Sequence, residues 1–116
     1  MGAGQKNLRI PQETLEEIEK VAHQSSSDFS SIAKAFLTEA IKMRRCPGIV
    51  FADGVSGRKA RIAGIGLEVW EIIAIFKGVS ENFKRLHRVY HLLTEQQART
   101  VIGYYTTYLE KINGQI

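Results

Sequence analysis

The first apolar–polar pattern along the chain has a period of two. Across Gln5-Lys6-Asn7-Leu8-Arg9-Ile10-Pro11, the polar Gln5, Asn7 and Arg9 alternate with Leu8 and Ile10, as successive side chains do on the two faces of a β-strand. Pro11 lacks the N–H that a ladder needs and ends the run. One face carries three hydrogen-bond donors, and the other carries two side chains that favour burial. Such a strand is unstable alone in water, so the pattern predicts a partner strand beside it and helices beneath. The period then lengthens. Leu15, Ile18, Val21 and Ala22 recur at helical spacing and predict a helix over 12–24. Pro11 suits its start, and Glu13, Glu16, Glu17 and Glu19 lie toward the positive end of its dipole. Gln24-Ser25-Ser26-Ser27 interrupts the pattern. Ile32, Ala33, Phe36, Leu37, Ala40 and Ile41 then predict a second helix over 29–45. Ser27 or Asp28 can cap it, and Lys42, Arg44 and Arg45 suit its last turn.

Cys46-Pro47-Gly48 closes that segment and marks a boundary. Beyond it, Ile49-Val50-Phe51 and Ala60-Arg61-Ile62 read as the strands of a hairpin, with turn chemistry at Asp53-Gly54 and Ser56-Gly57. Gly64-Ile65-Gly66 is a second turn. Three helices are predicted after it: Leu67–Lys77, Glu81–Tyr90 and Thr94–Ile112. Thr94 and Gln97 form a capping box for the last. The expected fold class is mainly α within α+β, in two domains, 1–46 and 47–116.

Composition narrows this picture. At 116 residues and 44% hydrophobic, the chain makes one ordinary domain or two very small ones. A piece of about 45 residues buries little surface unless it oligomerises. Cys46 is the single cysteine, so no internal disulfide forms, which fits a reducing cytoplasm. No apolar run approaches the roughly 20 residues of a membrane span. The N-terminal residues Met1–Lys6 lack the apolar core of a secretory signal, and Lys6 departs from the myristoylation pattern. The expected location is cytoplasmic, with no membrane partner. A net charge of +4 leans toward a polyanionic partner. The charge is uneven: 12–20 is acidic, 42–61 is basic, and Lys77, Lys84, Arg85 and Arg88 form a second basic stretch. The simplest reading of each run is a solvated face.

Other candidate chemistry is thin. Gly64-x-Gly66 lacks the third glycine of a dinucleotide loop, Val69 standing there, and reads as a tight turn. His87 and His91 have metal-ligand spacing but no acidic or cysteine companion nearby, so a solvated helix face is the better reading. Cys46 has no histidine neighbour in sequence, which argues against a catalytic thiol. Trp70, Phe76, Tyr104, Tyr105 and Tyr108 can stack on bases, although at helical spacing they read first as core. Tyr104 and Tyr105 cannot both face inward. No carboxylate pair, Ser/His/Asp set or metal cluster appears at useful spacing. The expectation is a non-enzyme with no catalytic residues, no metal and no cofactor.

Residues 5–45 resemble the ribbon-helix-helix repressors of the Arc/MetJ type. The motif Gln-x-Asn-Leu-Arg-x-Pro stands here as Gln5, Asn7, Leu8, Arg9 and Pro11, with Leu15 and Lys20-Val21-Ala22 matching behind it. The resemblance implies an intertwined homodimer whose paired strands enter the major groove of double-stranded DNA as an antiparallel ribbon. Gln5, Asn7 and Arg9 would then read base edges, since Arg matches guanine O6 and N7 while Asn and Gln match adenine N6 and N7. Backbone N–H groups of Phe29 and Ser30, at the start of the second helix, would meet a phosphate. Ser27, Ile32 and Phe36 occupy the positions of Arc's buried Arg–Glu–Arg triad, a replacement that such cores tolerate.

Residues 48–112 resemble a small prokaryotic domain of VapB-type antitoxins. The resemblance rests on Pro47-Gly48-Ile49-Val50-Phe51, on Gly57 to Gly64, on Gly66-Leu67-Glu68-Val69-Trp70-Glu71, on Leu93-Thr94-Glu95-Gln96-Gln97 and on Tyr104-Tyr105. Ile65 stands where that family usually has Thr. The resemblance implies a hairpin followed by a trihelical, helix-turn-helix-like bundle, and an antitoxin role beside a nuclease-type toxin. The expected function is a DNA-binding antitoxin that represses its own operon through the ribbon and binds the toxin through the C-terminal domain. The alternative is a stand-alone repressor whose C-terminal domain is a sensor or second DNA-binding unit. Arg58, Lys59 and Arg61 on the hairpin, and Lys84, Arg85 and Arg88 on the middle helix, are candidate secondary contacts to DNA backbone or to an acidic partner.

Overall fold

A computed structural model describes residues 4–54 and 57–115. The fold is mixed α+β and mostly helical. The described residues form α1 (Gln12–Gln24), α2 (Phe29–Arg45), β1 (Ile49–Gly54), β2 (Gly57–Ile62), α3 (Val69–Gly78), α4 (Phe83–Val89), α5 (Glu95–Thr107) and α6 (Leu109–Gln115). The chain divides into two compact units, Met1–Thr38 and Glu39–Ile116, and the division runs through α2.

In the first unit the helices begin and end as their residues dictate. Pro11 is the N-cap of α1, and its carbonyl accepts the first helical hydrogen bond from Leu15 N–H at 2.9 Å. The helix ends in a Schellman arrangement: Ser27 N–H donates to Ala22 O at 2.9 Å and Ser26 N–H to His23 O at 3.2 Å. That geometry places Ser26 at φ +50°. Asp28 then caps α2, its Oδ1 accepting from Ser31 N–H at 2.7 Å. This bond holds the Asp28 carboxyl below its ordinary range. Ile18 and Ala22 are buried, while Leu15, Val21, Ile32 and Ala33 are half-buried.

The strand expected over 5–10 is absent from the single chain. The stretch before α1 has no regular structure, and the first element is a helix. A strand exists only through its ladder, and among the described residues the one sheet pairs β1 with β2. The ribbon-helix-helix order is therefore not present within one chain. Leu8, expected on a buried face, is 72% exposed, and Ile10 is half-buried.

The second unit is built on the antiparallel hairpin, whose register sets Ile49 opposite Ile62, Val50 opposite Arg61 and Phe51 opposite Ala60. Asp53-Gly54 and Gly57 close its tip, while Val55 and Ser56 of the expected turn lie outside the described residues. After β2 the chain reverses through Gly64 and Gly66, at φ +89° and +68°, a region where glycine carries no steric penalty. It then runs back beside β2, Ile62 N–H donating to Leu67 O at 3.0 Å. This return delays α3 to Val69, two residues after the expected start. The core joins Ile49 and Ile62 to Val69, Ile72 and Ile73 of α3, Leu86 of α4, Val101 and Tyr104 of α5, and Ile112 of α6. Helix α3 packs against β2, α4, α5 and α6.

Two helical expectations need correction. The middle helix starts at Phe83 rather than Glu81, because Ser80 and Glu81 sit at φ +57° and +55° in a second Schellman arrangement. There Glu81 N–H reaches Phe76 O at 2.8 Å and Ser80 N–H reaches Lys77 O at 3.1 Å. The single helix expected over 94–112 is two, making four helices after the hairpin rather than three. Thr106 and Thr107 hydroxyls donate to the carbonyls of Ile102 and Gly103 at 2.8 and 2.9 Å, a back-bonding that bends helices. The axis breaks at Tyr108 (φ −121°, ψ 40°).

Candidate nucleic-acid interface

The alternating stretch ahead of α1 leaves Gln5, Asn7 and Arg9 exposed. No hydrogen bond or ion pair among the described residues engages their side chains. Phe29 is half-buried and Ser30 exposed at the first positions of α2, where N–H groups precede any intrahelical acceptor. The Asp28 side chain takes the next N–H, that of Ser31, so those of Phe29 and Ser30 stay open. Apolar side chains of α2 also stand in solvent: Phe36, Leu37 and Ile41 are 37%, 58% and 55% exposed. The stripe that periodicity assigns to burial thus lies largely uncovered in one chain.

The six basic candidates of the second unit separate into two groups. Arg58 is held by the Glu39 carboxylate through both Nε, at 2.5 Å, and Nη2, at 2.8 Å. Asp53 lies 3.5 Å from its Nη1. The bond to Glu39 raises the Arg58 pKa above its ordinary value. Arg61 Nη2 lies 3.8 Å from Glu68 Oε1, and Glu68 Oε2 accepts from the indole N–H of Trp70 at 2.6 Å. Gly54 packs against this group, where a Cβ would come within 3.0 Å of Glu68 Oε1. The Arg58 and Arg61 guanidinium groups thus hold the hairpin to α2 and to the start of α3. Lys59 is half-buried. Lys84, Arg85 and Arg88 on α4 are different: all three are exposed, and none forms an ion pair among the described residues.

The aromatic side chains are mostly internal. Tyr104 is buried and its phenol is pushed up to about 12, chiefly by burial. Its ring lies 4.9 Å from that of Tyr108. Tyr105 is half-buried, with its O–H donating to Asn113 Oδ1 at 3.0 Å. Trp70 and Phe76 are half-buried against the core. His87 is exposed, but its Nδ1 lies 3.0 Å from Leu93 O, so that nitrogen carries the proton and is unavailable to a metal. The fold also brings together residues that no local motif connects. Arg45, Cys46, Gln96, Arg99 and Thr100 line an open groove of about 410 Å³. No sequence signal joins residues so far apart, and Arg99 in it is paired with Glu95 at 2.8 Å. No helix among the described residues is long and apolar enough to cross a membrane.

No family model, curated protein or solved structure matches the chain.

Proposed function

We propose that the chain is a homodimeric, sequence-specific DNA-binding repressor of the antitoxin type. Two copies of the stretch 5–10 pair as an antiparallel ribbon. Gln5, Asn7 and Arg9 read base edges in the major groove, and the N–H groups of Phe29 and Ser30 bind a phosphate. The second unit carries the docking role toward a nuclease-type toxin. The observation that carries the DNA reading is the incomplete burial of the first unit. Leu8, Phe36 and Leu37 stand in solvent, and among the described residues nothing engages the polar side chains of the stretch 5–10. A second copy covers the apolar residues and leaves the polar set facing outward. Burying an apolar side chain of this size contributes about 1.5–3 kcal/mol, so a few such residues per protomer supply a stable dimer. The toxin-binding role rests on the resemblance of residues 48–112 alone.

The test is binding to the duplex upstream of the protein's own gene, with a scrambled duplex as control. Arg9→Ala is expected to leave the dimer folded and to lose about 1–3 kcal/mol of preference for the specific duplex. An Arg9→Ala protein with undiminished preference overturns the base-reading assignment. A wild-type protein that sediments as a monomer at micromolar concentration overturns the ribbon. Co-expression with the neighbouring gene and pull-down tests the toxin.

A further inference from the structure

We propose that the outward face of α4 is a second contact for the phosphate backbone of duplex DNA, made by Lys84, Arg85 and Arg88. This rests on the DNA-binding reading above and adds to it a sequence-independent contact on the other unit. The positive charge of the chain is unevenly placed. The first unit holds four Lys and Arg against five Asp and Glu, and the second holds twelve against seven. The unit without the base-reading stretch therefore carries the whole surplus.

Many of its cations already have partners. Arg58 is bound to Glu39, Arg61 faces Glu68, and Arg99 is paired with Glu95. Lys77 donates to Asn113 and lies 5.0 Å from the Tyr105 ring centre, and Lys42 is buried 4.8 Å from that of Tyr108. On α4 the three cations lie in a run, residues 82–94, that contains no Asp or Glu. Their orientation follows from the helix. Leu86 is 1% exposed and fixes the inward side. At about 100° per residue, Lys84 and Arg88 fall opposite it, with Arg85 beside them. Both ends of the helix are tied down: Asn82 Oδ1 accepts from Arg85 N–H at 3.1 Å, and His87 Nδ1 donates to Leu93 O at 3.0 Å. The crest is thus a fixed line of Lys and Arg.

The chemistry favours a duplex backbone. Phe83 and Tyr90 are half-buried, and the His87 ring is stacked on Phe83 and tied to Leu93 O, which leaves the crest little aromatic surface for the stacking that single strands use. A protein partner would require an apolar centre within the contact; the exposed Val89 lies about 40° round the helix from Arg85, about 100° from Arg88 and about 140° from Lys84, at the edge of the crest and not at its centre. Phosphate oxygens ask only for positioned cations, and Lys and Arg supply them.

The test uses the intact protein with Lys84→Gln, Arg85→Gln and Arg88→Gln combined. Affinity for specific and scrambled duplexes is measured by fluorescence anisotropy between about 50 and 200 mM salt. The slope of log K against log salt should shrink by about 2–3 for each α4 that meets the duplex. Binding to both duplexes should weaken alike, leaving the preference intact. Arg9→Ala should do the reverse, losing preference and keeping most of the slope. A triple variant with the wild-type slope overturns the α4 contact while leaving the ribbon standing. Loss of toxin capture by the same variant, with DNA binding unchanged, would reassign the crest to an acidic protein surface. A wild-type protein that binds neither duplex overturns both readings. Each single substitution should lower the slope by about 0.9, which keeps the test valid if the triple variant folds poorly.

Discussion

In the unit Met1–Thr38 the buried apolar residues among those described are Ile18 and Ala22, and Leu8 and Leu37 are more than half exposed. In the unit Glu39–Ile116, eleven buried residues from the hairpin, all four following helices and the loop residue Leu93 share one core with the fully buried Ile73. The two segments do not differ in the quality of their local signals. Each has capped helices, apolar stripes and a Schellman turn. They differ in where the covering surface comes from. The hairpin and α3 to α6 cover one another, whereas within the first unit Leu8, Phe36 and Leu37 remain exposed. A two-helix segment is too small to enclose a core by itself, and the second copy proposed above would supply the missing cover. On that proposal, folding of the stretch 5–10 is tied to assembly.

The largest effect that probes this difference is a cavity in the closed core. Ile73→Ala should cost about 2–5 kcal/mol, by the same amount at every protein concentration. Leu37→Ala should instead act on association. It removes roughly 2 kcal/mol of burial per protomer, and its shift in melting temperature should vanish on dilution, as linkage to dimerisation requires. Chemical denaturation at two protein concentrations separates the cases. Equal behaviour of the two variants would erase the distinction between the units. Next in size is the Glu68 carboxylate. Glu68→Ala leaves Trp70 Nε1 without its acceptor and Arg61 without its ion-pair partner, and should destabilise the second unit by about 1–3 kcal/mol. Indole fluorescence reports it, and the first unit should not respond. The smallest effects should be the same in both units. Ser26→Gly and Ser80→Gly place the preferred residue at the left-handed position of each Schellman turn. Each should gain about 0.5–1 kcal/mol in melting experiments.

Much of this architecture could be read from residue order. The helices over 12–24 and 29–45 follow from apolar spacing, and the hairpin follows from the strands Ile49-Val50-Phe51 and Ala60-Arg61-Ile62, which the structure extends to Gly54 and back to Gly57 and sets in register. Periodicity could not show the break at Tyr108, because Thr106 and Thr107 keep a helical pattern while their hydroxyls compete for its carbonyls. The two serine turns were hidden for a related reason. Glycine advertises a left-handed position, and serine adopts one only when the surrounding hydrogen bonds impose it. For the candidate interface, Gln5, Asn7 and Arg9 stood out by alternation, yet the stretch pairs with no strand among the described residues. The basic residues looked alike in sequence. Only the fold separates Arg58 and Arg61, which face carboxylates, from Lys84, Arg85 and Arg88, which do not, since Glu39 lies nineteen positions from Arg58.

The division of the chain inside α2 bears on how such proteins can be recombined. Glu39 and Lys42, on the last turns of α2, belong to the second unit, one through the Arg58 guanidinium and the other through the rings of Phe51 and Tyr108. An exchange of modules at the Pro47-Gly48 turn would therefore carry away part of the recipient's own scaffold. A graft that keeps both halves intact has to be cut within the helix, in phase, so that Glu39 and Lys42 travel with the hairpin they support.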